Sequence, residues 1–352
     1  MLKGLKSTIK WIAAIVIICV VAVFLASING LSVSRTVMTV GGNEITEAEY
    51  KYYLESVKQV TLSEQGITDE DAVKDFLKNG TIDGKPAKDV IKEKALEEIT
   101  RVEIACIKAK EAGIELTDEE KSSARAILTA TDSETKAQLD ELKKATGLTK
   151  QGYANIMEKS YLVNSLYSKF TTENADLIVP DDDEVTKTIN EEFALVKHVL
   201  VSKPGEDSET TVEDAKKKAE EALAKATSGE DFDALVKEYG EDPGMESEPN
   251  GYLITKTGST LDGQSTMVAE FTKGSFAVGV NEVNPELVES DYGWHIIKRY
   301  EITAGNDNYS TVQQQANSIL VSEMYSQYID TFKDEVEIVV NDRIINKIKV
   351  KY

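Results

Sequence analysis

The sequence predicts an α+β protein in which a small domain with an antiparallel sheet interrupts a mostly helical one, behind an N-terminal transmembrane helix. Three observations carry this. Apolar residues recur at three- and four-residue spacing through 35–180 and again after 309, the mark of amphipathic helices. Between them, 193–301 changes texture to strand, two helices, then short strands separated by Gly- and Pro-rich turns. Ahead of both, Trp11–Ile28 is an 18-residue run without a charge.

That run as a helix would be about 27 Å long, against a bilayer core of roughly 30 Å. Lys3, Lys6 and Lys10 precede it and only Arg35 follows closely, so the positive-inside rule predicts a cytoplasmic tail (1–10), a spanning segment (11–28) and an extracytoplasmic remainder. A cleaved signal peptide would want small residues where Ala26-Ser27-Ile28 places isoleucine, and Ile18 before Cys19 does not suit a lipid-modified cysteine. A retained signal anchor is the expectation, with cleavage near residue 30 as the alternative.

Composition narrows the function. The 352 residues carry 40 Lys+Arg against 62 Asp+Glu, a formal charge of −22, which repels phosphate backbones and argues against nucleic-acid partners. Two cysteines build no disulfide framework. Cys106 shares a helix face with Ile99, Val102 and Ala109 and reads as core.

Within 35–180, Val37–Val40 predicts a short strand and Gly41-Gly42-Asn43 a turn. Helices follow from Thr46 and over 69–79, 87–112, 117–146 and 149–170, with Thr46/Glu49 and Thr117/Glu120 as capping boxes. Pro180-Asp181-Asp182-Asp183 marks a boundary, after which a short helix (184–191) leads into a strand at 194–201. Helices at 212–228 and Phe232–Tyr239 come next, and Gly293–Lys298 closes the domain as a strand. The helical pattern resumes in 309–352, with Ser310/Gln313 as a further capping box. The strand-like 336–340 is expected to pair with 37–40, since a lone edge strand is a liability.

The chain's only two histidines, His198 and His295, both fall in strands of the inserted domain. Strand histidines are ordinarily satisfied core or surface residues, and His198, His295 and Asp242 without further ligand-rich spacing make a poor metal set. No metal or cofactor is expected.

Several ordered pieces of 193–301 together resemble the parvulin family of peptidyl-prolyl cis-trans isomerases. They are Lys197-His198-Val199-Leu200-Val201, Phe232-Asp233-Ala234-Leu235-Val236-Lys237-Glu238-Tyr239, Glu241-Asp242 and Asn250-Gly251-Tyr252-Leu253. Met267 with Phe271, Ser275-Phe276-Ala277, Asn281-Glu282-Val283 and Gly293-Trp294-His295-Ile296-Ile297 complete the series. The flanks resemble secretion foldases of the PrsA and SurA kind through Val37-Met38-Thr39-Val40-Gly41-Gly42-Asn43-Glu44-Ile45-Thr46 and Gly113-Ile114-Glu115-Leu116-Thr117-Asp118-Glu119-Glu120.

The resemblance implies a paired-imidazole floor from His198 and His295, with Asp242 as its charged member. It implies a proline pocket from Leu253, Met267 and Phe271, and a hydroxyl near the second histidine from Tyr292. Ile254 stands where the family commonly has glycine. Lys203 is followed by Pro204-Gly205-Glu206-Asp207 rather than a basic cluster, so phosphorylated clients are not expected. The implied function is a membrane-anchored foldase isomerising X-Pro bonds in unfolded exported polypeptides. A binding-only chaperone with an idle parvulin domain is the alternative, and a homodimer is compatible with either.

Overall fold

The computed structural model describes residues 35–67, 69–176, 178–205 and 208–351. The tail 1–10 and the expected membrane segment 11–28 lie outside the described residues. Among the described residues, no helix is long and apolar enough to cross a membrane. The architecture is mixed α+β, mostly helical, with small antiparallel sheets.

The chain divides into two compact units. One comprises the chain up to Glu55, Glu93–Val163 and Phe332–Lys349. Its sheet has the order β2-β1-β9, from β1 (Thr36–Val40), β2 (Asn43–Thr46) and β9 (Ile338–Val340). The C-terminal strand does return to the N-terminal one: Met38 pairs with Val340 and Val40 with Ile338, antiparallel. β1 is buried through Val37, Met38 and Val40, whereas β9 leaves Val339 52% exposed at the sheet edge.

Polar atoms in this core are tied together. Lys159 Nζ reaches Glu49 Oε1 at 2.5 Å and also the buried Glu103, whose other oxygen accepts from Asn43 Nδ2 at 3.0 Å. Glu49 therefore does not complete the expected capping box. Its backbone N–H donates to Thr46 Oγ1, but its side chain turns to Lys159. The Thr117/Glu120 box forms in both directions. The helix expected over 117–146 is broken into Asp118–Thr129 and Ser133–Thr146, because Asp132 accepts from Thr135 N–H and caps a new helix. Cys106 is buried, and burial pushes its thiol up to about 12, which leaves it inert.

The other unit, Ser56–Lys92, Asn164–Thr331 and Val350 onward, contains a two-residue hairpin, β3 (Thr81–Ile82) with β4 (Lys85–Pro86), and a larger sheet. That sheet has the order β6-β5-β8-β7, all antiparallel, from β5 (Phe193–Ser202), β6 (Tyr252–Thr255), β7 (Val288–Glu289) and β8 (Gly293–Tyr300). Side chains alternate faces along β5. Val199 and Val201 pack with the helices Val212–Thr227 and Phe232–Tyr239. Phe193 and Leu195, on the same face, pack with Val185 and Ile189 of Asp182–Glu192 and with Val312 and Ala316 of Tyr309–Asp330. Ala194 and Val196 face the other way, onto Phe271 of the helix Ala269–Phe276. Ser310 is not a cap: the helix Tyr309–Asp330 begins behind Asn308, without a side-chain cap.

In the first unit, Lys159 is the cation that Glu49 and Glu103 share, and Glu103 is 1% exposed. Lys159→Met leaves that buried charge uncompensated and should destabilise this unit by about 3–5 kcal/mol. Urea unfolding of the variant against wild type reads the difference.

Candidate active site

The paired register of β5 and β8 sets the geometry. His198 lies opposite Ile297 and His295 opposite Leu200, so the two histidines are diagonal neighbours on one face. Their rings stack at 5.2 Å between centroids and 19° between planes, with the Nδ1 atoms 3.1 Å apart. Phe271 closes the face, its ring centroid 4.9 Å from that of His198 and 5.3 Å from that of His295. Both imidazoles are 4% exposed.

The polar contacts form a chain. His198 Nε2 lies 2.7 Å from Asp242 Oδ2. Tyr252 Oη donates to the same oxygen at 2.8 Å, and Gly244 N–H donates to Oδ1 at 2.9 Å. At the far end Ser290 Oγ lies 2.7 Å from His295 Nε2. An ionised carboxylate only accepts, so with both rings neutral each step has one direction. His198 donates its Nε2–H to Asp242 and presents a bare Nδ1. His295 donates its Nδ1–H to that nitrogen, and the Ser290 hydroxyl donates to His295 Nε2. Both rings are satisfied while neutral.

The electrostatics agree. The hydrogen bond from His198, with those from Gly244 and Tyr252, lowers the Asp242 carboxyl to about 2. Burial lowers His295 to about 4, helped by the neighbouring His198 and opposed by Asp242. Burial, then the Asp242 charge, raises the Tyr252 phenol. One negative charge therefore sits at the only end of the chain that meets solvent, where the Asp242 side chain is 20% exposed.

Local sequence explains the placement. Asp242 follows the helix Phe232–Tyr239, and Glu241 N–H donates to Leu200 O, holding this segment beside β5. A Cβ at Gly244 would stand 1.8 Å from Tyr252 Oη, so only glycine leaves that hydroxyl its path to Asp242. Gly293, at φ +148°, opens β8 where a Cβ would strike Val201 O at 2.1 Å.

Of the residues singled out from sequence, His198, His295, Asp242 and Phe271 are brought together. Met267 packs on the same apolar cluster as Phe271. Leu253 does not share that cluster, although it lines one cleft with Met267. It pairs with Leu195 across β5/β6 and packs on the opposite face of the sheet, while Tyr252 and Ile254 take the histidine face. Tyr292 is also displaced: it occupies the β7–β8 turn with its side chain 65% exposed, and its backbone N–H donates to Ser290 Oγ. The hydroxyl at His295 is Ser290. Ser290 and Tyr252 are the two members that sequence reasoning missed. Strand parity was the available signal, since Val288 pairs with His295 and Ser290 stands two residues on, on the same face. Among the described residues, no three His, Cys, Asp or Glu side chains converge as a metal set.

Comparison with known proteins finds two family models along the chain. A family model for the PPIC-type PPIASE domain matches residues 184–303, and one for a SurA-like N-terminal domain matches residues 1–167. The chain is 26% identical over 305 residues to the foldase protein PrsA of Caldanaerobacter subterraneus subsp. tengcongensis, across 85% of this chain and 84% of that protein. It is 28% identical over 200 residues to foldase protein PrsA of Halalkalibacterium halodurans, across 56% of this chain and 53% of that one. The crystal structure of foldase protein PrsA from Streptococcus pneumoniae aligns over 90% of this chain and 96% of its own, at 17% identity and a TM-score of 0.31.

The titration of His295 has a sign. Its folded value, about 4, lies below the ordinary 6.5, so the unfolded chain binds the proton first. Its stabilising contribution is complete above pH 6.5 and is lost as pH falls toward 4, ~3 kcal/mol in all. Asp242 adds a further loss between pH 3.8 and about 2. Thermal melts of wild type and His295→Gln should converge as pH drops from 6.5 to 4. A constant gap between them would contradict the assignment.

Proposed function

This chain is a parvulin-type peptidyl-prolyl isomerase with a SurA-like N-terminal domain, and from that premise we propose that it is a membrane-anchored extracytoplasmic foldase turning over X-Pro bonds in unfolded exported polypeptides. The observation that carries the reading is the one-directional chain from Ser290 through both histidines to a partly exposed Asp242. The foldase names of the relatives support the client class.

Rotation about X–Pro breaks no bond; its barrier of about 18–20 kcal/mol is the lost resonance of the amide. A site accelerates it by holding the twisted amide better than the planar one. In the planar form the carbonyl oxygen carries negative charge. An ionised Asp242 facing that oxygen disfavours the planar form, and the effect fades as the amide twists. Tyr252, donating to Asp242, shares the exposed end of the chain and fixes the carboxylate plane. The histidines do not need to touch the client. They hold Asp242 in position, and as neutral rings they leave its charge uncancelled. Met267, beside Phe271, offers an adaptable apolar surface to the pyrrolidine ring.

The anchor rests on the charge asymmetry around 11–28, and puts the isomerase outside the membrane with its clients. The SurA-like part would hold clients while their prolines exchange.

The full chain in detergent should accelerate cis/trans exchange of an X-Pro peptide, read by exchange NMR. Asp242→Asn should slow it by roughly 10-fold to 100-fold, the scale of losing one preorganised electrostatic group. Exchange equal to buffer would leave a binding-only chaperone. For the anchor, N-terminal sequencing of the membrane fraction should find Met1 with the downstream segment intact. A mature chain starting near residue 30 would refute it.

A further inference from the structure

We propose that this isomerase site selects X-Pro segments carrying a lysine or arginine next to the proline; the inference rests on the isomerase reading above. Two clefts meet at the exposed end of the hydrogen-bond chain. One, of about 740 Å³, runs along β6 with Leu253, Leu261 and Met267 as apolar wall. The other, of about 490 Å³, has Val236 and Met245 as apolar wall and contains Asp242. Tyr252 lines the first and Asp242 the second, so their 2.8 Å hydrogen bond is the seam, and Glu248 borders both clefts. An extended peptide that presents its amide to Asp242 and Tyr252 lies across this seam and places its neighbouring side chains in the clefts.

The charges there are of one sign. Glu248, Asp262, Glu301 and Asp307 line the first cleft, and no lysine or arginine does among the described residues. In the second, Lys197 is already committed to Asp233 at 2.7 Å. That leaves Lys237 against Asp242, Glu246 and Glu248. A lysine or arginine beside the proline lays its methylene stem on Val236 and Met245 and its charge among these carboxylates. A client aspartate or glutamate at that position meets them at close range and is repelled.

The chain's overall acidity would draw any cationic peptide, so the test must separate position from net charge. The full chain in detergent is given matched peptides with Lys, Arg, Ala or Glu before, and in a second set after, the proline. A control keeps the lysine but moves it about six residues away, ~20 Å along an extended chain and beyond the Debye length. At about 0.1 M salt, where the Debye length is ~10 Å, kcat/KM for the Lys and Arg peptides should exceed that for Glu by roughly tenfold, the distant-Lys control should fall with Ala, and about 0.5 M NaCl should compress the range. The double variant Glu246→Gln/Glu248→Gln should bring the Lys:Glu ratio down severalfold. Equal rates across the series, a preference for Glu, a distant lysine serving as well, or an unchanged ratio in the double variant would overturn the proposal. If no peptide is isomerised, the isomerase reading fails by itself. Fluorescence anisotropy of the same labelled peptides then decides the preference: tighter binding next to Lys supports it, and equal binding overturns it.

Discussion

The hydrogen bond from His198 to Asp242 organises the site. A carboxylate cannot donate, and that one restriction passes outward through His198 to His295 and ends at Ser290. Each ring is left with one proton and one partner per nitrogen. The cost of burying two imidazoles under Phe271 is avoided because neither has to carry charge. Burial in turn keeps His295 neutral, as its low value shows. The fold supplies the one thing this needs: two adjacent strands that hold the histidines diagonally, with β5 and β8 paired from Leu195/Tyr300 to Ser202/Gly293.

The same arrangement separates tasks. The polar chain is buried along its length and exposed at one end, so the chemistry concentrates where Asp242 and Tyr252 meet solvent. The opposite face of the sheet is spent on packing against four helices. Glycine appears where the backbone must approach closely, at Gly244 below the Tyr252 hydroxyl and at Gly293 against β5. Both belong to the site as much as its side chains do, since a Cβ at either displaces a member of the chain or of its scaffold.

The large features were legible in sequence because periodicity and punctuation agreed. The helix Phe232–Tyr239 occurs with its sequence-assigned ends, and the return of β9 to β1 follows from an apolar strand needing an edge. The histidines stood out by rarity, and the family resemblance supplied Asp242. Failures came where a single residue decides. Asp132 splits a helix that composition alone would continue, because a short carboxylate captures a free N–H. Leu253 and Tyr252 are neighbours, and only the β5/β6 register says which of them faces the histidines. Tyr292 and Ser290 differ by two residues, yet the intervening turn puts one in solvent and the other on His295. Pattern gives the elements; register and turn geometry give the site.

The central claim is a chain of neutral imidazoles pointing one way into an ionised Asp242. Nitrogen-15 NMR of the two histidines at neutral pH measures it directly. The account predicts that His198 carries its proton on Nε2 and His295 on Nδ1. An imidazolium at either position, or the reverse pair of tautomers, would contradict it.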